Sequence, residues 1–250
     1  MSAKATMTGQ EMRDMLAAAA AWLEKSASDI DALNVFPVPD GDCGTNMLLT
    51  LRSAVEEAAR VSGDKAGDMA AAVAKGALMG ARGNSGVISS QIWRGVAMVF
   101  KDKETVTAAD WAAAWTQAVE TAYKGLSNPV EGTILTVLTD VATAARTAAE
   151  TSDSITRLTE AAMNAASESV ARTPTLLSTL RDAGVVDAGG QGLYTVLEGM
   201  LHYLRGETEQ MQFKKSRVIA STMPANAKSA RLSPTDEEPF GYCTEFLLKG

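Results

Sequence analysis

Two carboxylates separated by a single glycine, Asp40 and Asp42, stand in the stretch NVFPVPDGDCGTNM at residues 34–47, between segments rich in alanine and methionine. Flanking a glycine in an extended or turning segment, both side chains can reach one point from the same side. Hard oxygen donors held that close attract a hard cation such as Mg²⁺, which keeps several waters and is shared between a few carboxylates and phosphates. The same residues also suit a plainer task, capping the helix that opens near Gly44. Local pattern alone leaves both readings open.

Three further breaks share this chemistry: GARGNSG at 80–86, PVEGT at 129–133 and GVVDAGGQG at 184–192. Each is rich in glycine and in small hydroxyl or amide side chains, and each runs into a helix. Glycine lets backbone come close to a ligand. The helix N-terminus that follows offers unpaired N–H groups and a partial positive charge, which suit phosphate. Four such loops around one helical domain suggest a common rim where N-termini converge on an anion. Acids beside that rim would repel phosphate unless a divalent ion stood between them. The only histidine, His202, is remote in sequence from every one of these loops, and no Ser–His or Cys–His pair offers a nucleophile. Phosphoryl transfer needs none, because positioning and charge neutralisation do most of its work.

The elements that must position these loops read as helices. Met12, Met15, Leu16, Ala19, Ala20 and Leu23 form an apolar stripe behind a Thr8–Glu11 capping box. A second stripe, from Met47 to Ala58, opens directly after the aspartates. Further helices are expected over 66–80, 84–100, 131–149, 153–171, 173–183 and 193–204, and around Trp111 to Ala122 with Thr107 and Asp110 as its capping pair. The break between two of them is placed near Pro174. That makes eight or nine helices, short loops and almost no strand signal.

Composition fits one helical domain with a core of small and flexible side chains: 46% of the 250 residues are hydrophobic and only 5% aromatic. A net charge of -7 argues against a nucleic-acid partner, which usually meets a basic face. No run approaches the roughly 18 apolar residues of a membrane span, and no signal peptide is evident. Cys43 and Cys243 suggest no disulfide framework. A cytoplasmic protein is expected.

Taken together and in order, NVFPVPDGDCGTNM, GARGNSGV, EGTILTVL and GVVDAGGQGL resemble the DhaL-type nucleotide-binding domain, which includes the ATP-binding L subunit of dihydroxyacetone kinase. The FPVPDGD and VVDAGGQGL variants are more similar to the A subunit of bacterial fatty acid kinase. The resemblance implies an all-α fold, a closed barrel of eight antiparallel helices with ATP or ADP and two Mg²⁺ at one mouth. Carried over by position, it implies metal contacts at Asp40, Asp42 and Asn34, the last an amide where relatives carry an acid. It implies nucleotide contacts at Gly44, Thr45 and Asn46, at Asn84, Ser85 and Gly86, at Gly132 and Thr133, and at Asp187 and Gly189. Cys43 departs from the usual Thr or His and reads as a small filler.

By the same resemblance the chain is the ATP-holding part of a kinase whose acceptor, most simply a fatty acid, is carried by a DegV-like protein or another substrate-binding subunit. A homodimer of the chain is also allowed. Dihydroxyacetone kinase-type transfer, a metal-dependent phosphatase and an ADP-sensing module are the other readings. The barrel is expected over 1–206. Residues 207–239 read as a polar, proline-punctuated linker, and 240–250 (FGYCTEFLLKG) as the β-prone start of a further domain cut short, with no zinc site expected at Cys243.

Overall fold

The computed structural model describes residues 4–222; the expectations for Cys243 and residues 240–250, and the end of the expected linker, lie outside the described residues. Among the described residues ten α-helices form: α1 (Gly9–Glu24), α2 (Ala27–Asp31), α3 (Cys43–Ala58), α4 (Ala66–Gly80), α5 (Gly83–Phe100), α6 (Ala108–Lys124), α7 (Ile134–Thr151), α8 (Ile155–Leu176), α9 (Ser178–Ala183) and α10 (Ala188–Leu204). Eight are long. Each of these packs on the next in the order α1, α3, α4, α5, α6, α7, α8, α10, and α10 returns to α1, closing a ring. The short α2 and α9 sit in the connections before α3 and α10.

Helix starts follow local chemistry. Thr8 with Glu11 and Thr107 with Asp110 form complete capping boxes before α1 and α6. Thr133, Ser154 and Asp187 cap α7, α8 and α10 with their side chains. Pro174 does not split α8 but sits in its last turn. Its missing N–H would free the Val170 carbonyl, and the Thr173 hydroxyl takes that carbonyl at 2.7 Å instead. The helix therefore runs on to Leu176.

The odd and even members of the ring start at opposite ends. At one end the starts of α1, α4, α6 and α8 are tied by backbone. Strand β1 (Thr6–Met7) pairs antiparallel with β2 (Val106–Thr107). Gly9 N–H donates to Asp64, Ala66 N–H to Glu104, and Ile155 N–H to Lys4, each to a carbonyl oxygen. The other end, here the mouth, gathers the starts of α3, α5, α7 and α10. Between them lies a core built on Trp22, Trp111, Trp115 and Phe100, with methionine, leucine and many alanines. Small residues allow close helix contact: a Cβ on Gly95 of α5 would stand 2.5 Å from Ala118 Cα of α6.

Residues 207–222, read from composition as the first part of a linker, lie instead against the barrel. Met211, Ser216 and Ile219 are buried. Lys25 donates to the Met211 and Gln212 carbonyls, Lys215 pairs with Asp29 at 2.6 Å, and Thr222 N–H donates to Ala171 O at 2.9 Å. This strap climbs back along α10 and ends beside the mouth half of α8. Among the described residues no helix is long and apolar enough to cross a membrane.

Candidate functional site

The mouth holds a cavity of about 340 Å³. Its polar wall comes from all four converging helix starts: Asp40, Asp42 and Cys43 at α3, Asn84 and Ser85 at α5, Thr133 at α7, and Asp187 and Gly189 at α10, with Asn34 from the loop before α3. Apolar side chains line the same cavity, including Phe36, Val38, Ile88, Leu126 and Val130. A cavity lined both by helix N-termini and by apolar side chains suits a ligand with an anionic end and a less polar end.

Gly41 has φ +67°, a left-handed turn that an L side chain adopts at a cost, and it brings Asp40 and Asp42 to the same mouth. Asp42 stands at the N-cap position of α3, yet its side chain makes no capping hydrogen bond. The capping alternative is thereby set aside, and the carboxylate remains directed at the cavity. Burial raises its pKa above the ordinary aspartate value, the Asn46 amide opposes this, and repulsion from Asp40 and Asp31 adds to it. Asn34 Nδ2 donates to Asp40 Oδ1 at 2.6 Å and to Val38 O at 2.9 Å, which ties the loop and leaves the amide oxygen as a further donor atom. Among the described residues, none of those lining the cavity is Lys or Arg. Three or more His, Cys, Asp or Glu side chains do not converge into a ready metal cage among them either. The donor set is two carboxylates and an amide, with room for water, and it fits a hard divalent ion that shares its coordination with phosphate.

Asp187 is buried at the cavity wall. Its Oδ2 accepts from Gly190 N–H at 2.7 Å, its own N–H donates to Thr173 Oγ1 at 3.0 Å, and Ile134 N–H also faces the carboxylate. Burial pushes its pKa up to about 6, against the pull of the Gly190 and Ile134 amides. One side chain thus joins the starts of α10 and α7 at the cavity wall. Ser85 Oγ donates to Cys43 O at 3.2 Å and joins α5 to α3 in the same way. Thr133 Oγ1 donates to Val130 O at 2.7 Å and fixes the loop before α7. The Cys43 thiol is held far above its ordinary pKa by burial and by Asp187, so it stays neutral and unreactive.

Five residues carried over by resemblance lie outside the lining. Gly44 packs under α2, where a Cβ would meet Ala27 O at 2.4 Å. Thr45 gives both its N–H and its hydroxyl to Asp31, at 3.0 and 2.7 Å. Asn46 lies buried beneath Gly83, Gly86 faces Thr50, and Gly132 abuts Leu177. Gly44, Thr45, Asn46 and Gly86 pack or tie the first turns of α3 and α5, and Gly132 the loop before α7. Asp31 was not singled out in the sequence: it ends α2, and its partner Thr45 is 14 residues on. Asn128, also on the wall, carried no signal beyond its place in a loop. His202 pairs with Glu207 at 2.8 Å near the last turn of α10, away from the mouth.

A ring of eight long helices with a cavity at one mouth, where four helix starts converge, defines the class: an all-α domain. Residues 37–202 match the DAK2 domain, and the chain belongs to that family. It is 44% identical over 245 residues to Protein YloV of Bacillus subtilis (strain 168), covering 98% of this chain and 44% of that protein. An uncharacterized protein of Staphylococcus epidermidis (strain ATCC 12228) is 40% identical over 243 residues, covering 97% and 44%. The chain therefore spans less than half the length of these curated relatives. Among solved structures it resembles the dihydroxyacetone kinase of C. freundii in its native form, with a TM-score of 0.54 and 17% identity over 76% of this chain and 34% of that one. That likeness is one of fold.

Proposed function

We propose that the mouth binds ATP or ADP together with Mg²⁺, and that the chain is the nucleotide-holding part of a kinase. The observation that carries this is the pair Asp40 and Asp42: two carboxylates on a cavity where four helix N-termini converge, with no lysine or arginine among the described residues of its wall. Anion-seeking helix starts and anion-repelling carboxylates are compatible only around a cation. Mg²⁺, when bound, supplies the positive charge that lets phosphate and carboxylate share the site. In this reading Asp40, Asp42 and Asn34 hold the metal, with two ions as in the family the motifs resemble. The starts of α3, α5 and α7 orient the phosphates. The apolar side chains take the base and exclude water. The terminal phosphoryl group breaks from its bridging oxygen to ADP and bonds to an acceptor oxygen.

We take the acceptor to be a fatty acid on the strength of the FPVPDGD and VVDAGGQGL motifs, which resemble the A subunit of fatty acid kinase. We place the acceptor on a separate DegV-like or comparable substrate-binding protein, and the whole in the cytoplasm. The nucleotide domain in this reading covers the barrel and the docked strap, and the following segment leads into a further domain.

Asp40→Ala or Asp42→Ala should weaken ADP binding in the presence of Mg²⁺ by more than about tenfold. Metal-free melting should be no lower, because either change relieves like-charge repulsion. Calorimetry showing unchanged affinity in both variants would sink the site assignment. Labelled acyl-phosphate formed only with a lipid-loaded partner separates a kinase from a phosphatase, which would release phosphate from ATP alone. Phosphorylation of dihydroxyacetone instead would move the substrate class, and tight ADP binding without turnover under any partner would favour a sensor.

A further inference from the structure

Gln191 lies one turn into α10 and is 1% exposed. Its amide is used twice by the strap: Nε2 donates to Arg217 O at 3.0 Å and Oε1 accepts from Ile219 N–H at 2.9 Å. One side chain thereby satisfies the peptides of alternate residues, as a neighbouring strand would. Thr195, one turn on, meets Ser216 at 3.4 Å.

The turn that carries Gln191 is weak by itself. Gly189, Gly190 and Gly192 each cost a helix about 1 kcal/mol relative to alanine. They are there because neighbours leave no room: a Cβ at Gly190 would stand 2.8 Å from Val137 Cγ2 of α7, and at Gly192 2.4 Å from Met47 Sδ of α3. Three sides of the turn are thus bare backbone against α7 and α3, and the fourth is Gln191 on the strap. The same turn holds Asp187 and Gly189 at the cavity wall.

We propose that Gln191 is a positioning residue of the mouth: by gripping residues 217–219 it fixes the first turn of α10, so that nucleotide affinity depends on the strap being docked. The inference rests on the nucleotide reading above. Undocking removes two hydrogen bonds from a buried amide and leaves the glycine-rich turn to the Asp187 cap and to its packing on α7 and α3. The mouth then loses order at Asp187 and Gly189, while the rest of the ring keeps its contacts.

The test uses the 250-residue chain with Gln191→Leu, Ile219→Pro, their combination, and Phe213→Ser on the exposed side of the strap. Two quantities are read: the Kd for ADP with Mg²⁺ by calorimetry, and amide hydrogen exchange over residues 188–192. Gln191→Leu should raise Kd and speed local exchange by about tenfold, as loss of two buried hydrogen bonds implies. Ile219→Pro removes the Ile219 donor and should act in the same direction. The combination should be little worse than the stronger single change, since both break one contact. Phe213→Ser should match the parent. A Gln191→Leu protein that melts lower but keeps its Kd and its local exchange would overturn the proposal, leaving Gln191 a packing residue. If that variant does not fold, Ile219→Pro decides, and unchanged affinity there overturns it equally. A parent chain that binds no ADP defeats the nucleotide reading itself; the exchange measurement still decides whether the strap holds the turn.

Discussion

Asp187 shows what burial does to a carboxylate that cannot leave its post. In the unfolded chain it ionises near the ordinary value of 3.8; in the fold it does so at about 6, because charge is disfavoured away from water. Between those values unfolding releases a proton, so stability falls as pH rises through the window and levels off above it. Asp187→Asn keeps an oxygen to cap Gly190 but removes the titration. Metal-free melts from pH 4 to 7.5 should show the parent losing on the order of 2–3 kcal/mol that the variant does not lose. Parallel curves would mean that the carboxylate is solvated. That Asp40, Asp42, Asn34 and Asp187 come to one cavity was expected from the motifs that hold them, the two aspartates of the DGD stretch by local chemistry and Asn34 and Asp187 by resemblance. Asp31 was not: nothing within its own helix tells that its carboxylate serves Thr45 across the loop that carries the metal candidates.

At the scale of elements, helix starts were readable at the two capping boxes, Thr8–Glu11 and Thr107–Asp110. By contrast α10, expected from residue 193 because the glycines before it carry no apolar stripe, starts at Ala188 behind its Asp187 cap. The end of α8 was not readable either, since Pro174 signals a break and only the bond from Thr173 to Val170 O shows how the last turn survives it. Glycine spacing within helices was equally silent about purpose. Gly95 faces α6 backbone with no space for a methyl group. Gly95→Ala should therefore cost about 1–3 kcal/mol through overpacking, although the same change on an exposed helix face gains about 1 kcal/mol. Urea unfolding gives the sign, and a raised midpoint would show that α5 and α6 can move apart freely.

The closed ring as a whole is a property of contacts between distant segments. Stripes every three or four residues imply helices that must pack, but α10 returning to α1 joins residues nearly the whole described chain apart. The motif resemblance supplied the barrel where periodicity could not. The strap escaped both, because its composition is polar and its anchor is a glutamine 28 positions away from Ile219. A chain ending at Gly206 keeps every ring helix and should fold, yet it loses the burial of Met211 and Ile219. It should melt about 5–10 °C below the 250-residue chain and bind ADP more weakly. Equal melting in a calorimetric scan would restore the linker reading for these residues.

The strap also decides which way the molecule faces when it is held. Lys4 sits where the starts of α1 and α8 are tied, and Thr222 sits against α8 near the opening, about one helix length or ~25 Å away. A surface anchor joined ahead of Lys4 would present the opening to solution, while one joined just after Thr222 would turn it toward the support. A dye near Thr222 should report nucleotide capture, and the same dye near Lys4 should be blind to it.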